Sequence, residues 1–252
     1  MLISMKRKFI VLSPPKVASS SVINFLAPHC DVKIDETVFG KHDQIQTLVE
    51  RYSYFSRGAI GGFKIFILFR HPIDRLFSLY KYHTRDAFRD RPLYTRDMSI
   101  DTFVGSWITQ ELWQALPQFL YGVLSERGFV ADFLIRTDQL VQDLPAALSL
   151  VDLAVDVKRL PQHNKSPVLP NEADLKEELE RKVKHLYEVD QLLYDEYAGT
   201  TLDQGQKDHI STYIAQHYHR QIDLATLKRQ VKVQFSYRSP QSQAQTNSRN
   251  CE

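Results

Sequence analysis

The chain has 252 residues, 43% hydrophobic and 25% charged, which is enough for one domain with a real core. Its formal charge of +2, with no long block of lysine and arginine, is too small to imply general nucleic-acid binding, so any anion site must be local. Cys30 and Cys251 support neither a disulfide framework nor a zinc pattern, and no apolar run approaches a membrane span, so a protein of the cytoplasm with no signal peptide or anchor is expected.

The first informative stretch is Phe9-Ile-Val-Leu12, followed by Ser13, Pro14, Pro15, Lys16, Val17, Ala18, Ser19, Ser20 and Ser21 and then by apolar positions at Val22, Ile23, Phe25 and Leu26. The pattern predicts strand, turn and helix. A helix start leaves backbone N–H groups unpaired, and here a lysine and three hydroxyls stand beside them, a cradle suited to phosphate or sulfate. The same run also reads as a strand ended by two prolines with serines capping a helix.

Residues 30–39 read as a short strand or a surface loop, and Asp43 as the cap of a short helix carrying Ile45, Leu48 and Val49 inward. His42 falls at that junction, where position alone marks an ordinary surface histidine. After Gly61-Gly62, the run Phe63 to Phe69 predicts a central strand covered on both faces, and Pro72 opens a helix through Leu76, Leu79 and Tyr80. Arg70 is thereby delivered to the carboxyl end of a central strand, where ligands of open α/β sheets collect. A kinase would want an aspartate there to hold magnesium, so the site reads as built for anions without a metal.

The residues from Lys81 to Met98 read first as a solvated face rich in charge and aromatics, and second as a wall for an anionic or sugar acceptor. Ile100 to Leu124 predicts a helix broken at Pro117, with Trp107 and Trp113 in the core. Phe133 to Arg136 predicts a strand, with Thr137 or Asp138 capping the helix that follows. Asp174 to Tyr197 predicts one amphipathic helix, and residues 210–227 another. His217 and His219 read as surface residues. The expected organisation is one domain over residues 1–235 and a disordered tail over 236–252.

Two of these segments carry a family resemblance. Pro15, Lys16, Ala18, Ser19 and Ser20 are similar to the 5′-phosphosulfate loop of sulfotransferases that use 3′-phosphoadenosine 5′-phosphosulfate (PAPS). Arg70, Pro72, Arg75, Ser78 and Tyr80 resemble the 3′-phosphate segment of the same enzymes, in the same order along the chain. The short spacing and the Lys-His pair between the motifs place the likeness in the carbohydrate and heparan-type branch, the family 2-like sulfotransferases.

The resemblance implies a P-loop-like three-layer α/β/α fold with a mainly parallel central sheet. It implies PAPS as donor, 3′-phosphoadenosine 5′-phosphate (PAP) as product, no required metal, and a hydroxylated acceptor such as a glycan. Lys16, Val17, Ala18, Ser19, Ser20 and Ser21 would hold the phosphosulfate, and Arg70 and Ser78 the 3′-phosphate. Asn164, Lys165 and Ser166 are similar to a late loop that closes over the 3′-phosphate end. His42 would be the catalytic base alongside Lys16, with Glu36 and His29 in reserve. An ATP-dependent kinase and a non-catalytic domain binding PAP or sulfated glycan stay open as alternatives.

Overall fold

The computed structural model describes residues 1–35, 41–56, 58–91, 94–110, 112–161 and 167–218. The expected strand and helix around the first motif form as β2 (Phe9–Leu12) and α1 (Ser19–Leu26), preceded by β1 (Leu2–Ser4) and followed by the two-residue β3 (Val32–Lys33). Next come α2 (Ile45–Arg51), α3 (Ser53–Ser56), β4 (Lys64–Phe69) and α4 (Pro72–His83). The short α5 (Ile100–Phe103), the hairpin β5 (Val123–Leu124) and β6 (Gly128–Phe129), β7 (Phe133–Arg136) and α6 (Leu140–Ser149) continue the chain. It ends in α7 (Glu172–Val183), α8 (Glu188–Leu192) and α9 (Gln204–His217).

The five-stranded sheet has the order β3-β1-β2-β4-β7. The two strands that lead into the motifs, β2 and β4, run parallel to each other and β7 runs parallel to β4, with Phe9 opposite Lys64 and Phe69 opposite Arg136, while β1 pairs antiparallel with β2 and with β3. Because successive side chains of a strand point to opposite faces, the apolar runs feed two cores. Ile10, Leu12, Ile65, Ile67, Phe69 and Leu134 pack with Phe119, Val189, Leu193 and Ile210 on one face. Phe9, Val11, Phe66, Leu68, Phe133 and Ile135 pack with Val22, Leu26, Leu144 and Leu148 on the other. This is the mixed α/β arrangement, a mostly parallel centre between helical layers, that the sequence predicts. A third cluster joins α4, α5 and α7 through Leu76, Phe77, Phe103, Trp107, Leu179 and Val183.

Several expected elements differ. The single helix over 174–197 is broken between α7 and α8, because its apolar stripe serves two cores: Leu179 and Val183 face the α4 cluster, while Val189 and Leu193 face the sheet. The break between α7 and α8 re-aims the stripe. The helix expected from Ile100 stops at α5 and one wide turn over Val104–Ile108, since Arg75 draws the carbonyls of Gln114, Ala115 and Leu116 to itself. Asp43 does not cap α2, which is preceded by Gln44 without a side-chain cap. Asp43 is instead buried, 3.8 Å from Arg51. Neither Thr137 nor Asp138 caps α6, and Asp138 accepts from the Tyr194 hydroxyl at 2.8 Å. The last helix, α9, starts earlier than expected, at an Asp203 capping box, and the expected tail lies outside the described residues. No helix among the described residues is long and apolar enough to cross a membrane.

Candidate active site

The loop from Ser13 to Ala18 turns sharply off β2. Lys16 and Ala18 both adopt left-handed backbone, with φ of 68° and 54°, at a cost on the order of 1 kcal/mol each for a residue with a β-carbon. Left-handed turns of this kind build concave clusters of N–H groups that receive anions. Ala18, exposed at the start of α1, takes the amides of Ser21 and Val22 on its carbonyl, and the N–H groups of Ala18 and Ser19 meet no backbone acceptor among the described residues. The serines therefore do not cap α1 by their side chains. Val17 is fully buried in the core beneath, so only its backbone faces the loop. The hydroxyl-bearing Ser19 and Ser21 are buried as well.

Lys16 is the charged centre of this loop. Its ammonium lies 3.8 Å from the centre of the Tyr82 ring, which also carries the Arg85 guanidinium at 4.7 Å. Burial, then the charges of Arg85, Arg70 and Lys41, lower its pKa to about 7. Lys41 donates to the Ser20 hydroxyl at 2.7 Å, which adds a second lysine to the loop that the motif alone does not name. Lys41 directly precedes His42, and that adjacent pair was the available sequence signal.

His42 is tied to the end of β2. Its Nδ1 lies 2.6 Å from the Ser13 carbonyl oxygen, while the Ser13 hydroxyl donates back to the Lys41 carbonyl at 3.0 Å. A carbonyl only accepts, so Nδ1 carries the hydrogen and Nε2 presents a lone pair. Packing near the Trp113 ring, 6.0 Å between centres, accompanies a desolvation that drops the pKa to about 3, against the pull of the Ser13 bond. At neutral pH the imidazole is uncharged.

Arg70 leaves β4 at the same edge. Its guanidinium donates to the Lys16 carbonyl at 3.3 Å, which joins the two sequence motifs directly. Arg70 and Ser78 line one cavity of about 370 Å³ with Asp74, Phe77, Lys81 and Lys176. The turn into α4 thus folds Ser78 back toward Arg70, as joint contact requires. Inside the cavity Lys81 pairs with Glu172, and Lys176 with Asp74 at 2.5 Å, so Arg70 is the cation there without an acidic partner among the described residues. Arg75, the other arginine of the motif, is fully buried and braces the 114–116 loop.

The other expected site residues fare differently. His29 lies exposed beyond the far end of α1, about 12 Å of helix from the loop, and is not part of the site. Glu36, Asn164, Lys165 and Ser166 lie outside the described residues. The stretch after Lys81 is not uniformly a solvated face: Tyr82 and Arg85 meet Lys16, and His83 and Thr95 are buried. A larger cavity, about 550 Å³, opens at the amino end of β4 and contains none of these residues. There Lys64 and Lys207 both lie on Asp132, at 3.2 and 2.8 Å.

Lys16, Arg70 and Lys41 form no ion pair among the described residues, so the carboxyl edge of β2 and β4 concentrates unneutralised positive charge beside free amides and one neutral histidine. Such an edge can grip a polyanion at two points, and the histidine nitrogen beside it can accept a proton. No curated protein and no solved structure matches the chain. A model described as the sulfotransferase family matches residues 1–198, and the chain belongs to that family, whose members move a sulfuryl group from a sulfate donor to an acceptor.

Proposed function

We propose that the donor is PAPS and that the acceptor is a hydroxyl of a carbohydrate, with His42 as the base. The observation that carries this reading is the bond from Arg70 to the Lys16 carbonyl, since it brings a phosphosulfate-type loop and a second cationic pocket onto one ligand's length. In this reading Lys16 and the amides of Ala18 and Ser19 receive the 5′-phosphosulfate, while Arg70 and Ser78 receive the 3′-phosphate that sets PAPS apart from ATP.

Transfer is an in-line displacement. The acceptor oxygen bonds to sulfur as the bond from sulfur to the bridging oxygen breaks, and that oxygen leaves on the phosphate of PAP. Lys16 stands where charge gathers on the leaving oxygen, a role that uses preorganised donors. The acceptor proton passes to Nε2 of His42, whose other nitrogen is held by Ser13. A pKa near 3 makes the free histidine a ready but weak base, and the negative donor arriving beside it raises that basicity. Tyr82 holds the Lys16 and Arg85 cations over its ring, and Arg85 suits the polar substituents of an acceptor.

The test is turnover of PAPS on a panel of glycans, followed by PAP release, with and without a magnesium chelator. The expected result is transfer that persists in the chelator and falls on the order of 10²–10⁴-fold in His42→Ala. PAPS bound without turnover on any acceptor would reduce the protein to a binding domain, and full activity in His42→Ala would remove that residue from the chemistry.

A further inference from the structure

The β4 ladder stops one residue short of Arg70, since Thr137 N–H to the Phe69 carbonyl, at 2.9 Å, is the last bond from the β7 side. Arg70 nevertheless has both backbone groups satisfied. Its N–H donates to Oε1 of Gln118 at 3.0 Å, and its carbonyl accepts from Nε2 of Gln118 at 2.7 Å. A primary amide offers the same donor and acceptor as a peptide group, so this one side chain extends the sheet by a residue. Gln118 is 0% exposed and comes from 48 positions away.

Gln118 is itself held. Asp190 on α8, also 0% exposed, accepts from the Gln118 N–H at 2.8 Å and the Phe119 N–H at 2.9 Å, with Gln118 Nε2 at 3.4 Å from the same carboxylate. A buried carboxylate is costly unless hydrogen bonds surround it, and here they are spent on a turn whose side chain reaches a single residue. From Arg70 the chain of contacts runs on through its guanidinium to the Lys16 loop. The result is a rigid path from the helical layer to both ends of the cationic crevice.

We propose that Gln118, fixed by Asp190, is a positioning residue for donor binding that sets the reach of the Arg70 guanidinium relative to the Lys16 loop. The inference rests on the assignment of PAPS as donor. A contact displaced by about 1 Å loses most of a directed, charge-assisted hydrogen bond, so the amide acts through affinity for the bisphosphorylated nucleotide and not through the acceptor.

The experiment is calorimetric titration of the whole chain with PAP. Gln118→Met keeps the length of the side chain and removes both bonds to Arg70, and it is expected to weaken PAP about tenfold while the Michaelis constant for the acceptor stays unchanged. In an Arg70→Ala background the same substitution is expected to add less than twofold, because the amide acts through that arginine. Equal affinity in Gln118→Met, or losses that multiply independently in the double variant, would overturn the inference. If Gln118→Met does not fold, Asp190→Asn is the second arm, with a loss of about threefold expected and an unchanged affinity counting against the proposal. A wild-type chain that binds no PAP overturns the donor assignment itself, an outcome separate from a wild type that binds and a Gln118 variant that binds equally well.

Discussion

Two arginines leave neighbouring parallel strands at the same edge of the sheet, and they are treated in opposite ways. Arg136, at the end of β7, is gripped by Asp143 through Nε at 2.8 Å and Nη2 at 2.9 Å, and its own N–H donates to that carboxylate at 2.9 Å. Gly199 makes room for it, since a β-carbon there would lie 2.3 Å from the guanidinium. Arg70, after β4, has a backbone carbonyl for its guanidinium and, among the described residues, no carboxylate. Hydrogen bonding to Asp143 pushes the Arg136 pKa up, while burial pulls that of Arg70 down. A structural arginine arrives with its counter-charge. Arg70 has no such partner among the described residues, and in a crevice shared with Lys16 and Lys41 its charge stays unanswered within that part of the chain.

The contrast is broken most severely at Lys16. Lys16→Ala is expected to lower kcat on the order of 10²–10³-fold, as loss of one preorganised donor to a developing anion does, with melting unchanged or raised because a crowded, desolvated cation is gone. Single-turnover kinetics beside a thermal scan would check both. The two arginines then separate by readout. Arg70→Ala is expected to raise the Kd for PAP about 10- to 100-fold, as for a hydrogen bond to a charged group, and to leave the melting temperature nearly unchanged. Arg136→Ala is expected to leave that Kd alone and to cost about 2 kcal/mol of stability, since it strands the buried Asp143 carboxylate. For a domain of this size that is a fall in Tm of about 4–8 °C. Equal effects of the two substitutions on PAP binding would erase the distinction.

What the sequence made legible was local. The apolar runs at Phe9 to Leu12 and Phe63 to Phe69 revealed two strands, and the residues just after them come together because the carboxyl ends of parallel strands share one edge. The pairing of Arg70 with Ser78 came from the motif resemblance and required the turn into α4 to fold back, and both residues do line one cavity. The supports of that edge were not legible. Gln118 reaches Arg70 across 48 positions and Asp190 reaches Gln118 across 72, and a polar side chain spent on a distant backbone leaves no periodicity behind. Arg75 belongs to the same motif pattern, yet nothing local in the sequence shows that its partners are three carbonyls of an irregular loop. The break before α8 was equally silent, since each half of the apolar stripe is regular by itself.

The smallest effect is also the most specific to the unmatched side of the comparison. A lysine with a folded pKa near 7 and an ordinary value of 10.5 is less protonated in the folded chain than in the unfolded one between those values. Stability of the free protein from this group therefore rises as pH climbs from about 7 to 10.5 and is lower below that window. A bound polyanion reverses the balance, because it restores the ammonium that the neighbouring Arg85, Arg70 and Lys41 disfavour. Binding of PAP at pH 8 is then expected to take up close to one proton, and affinity to fall by up to about tenfold per pH unit above 7. Calorimetry in two buffers of different ionisation enthalpy reads the proton directly. Lys16→Met should abolish the uptake, and Arg136→Ala should leave it intact because that charge is already answered by Asp143. Proton release, or uptake that survives Lys16→Met, would mean that the crevice is not organised around this lysine.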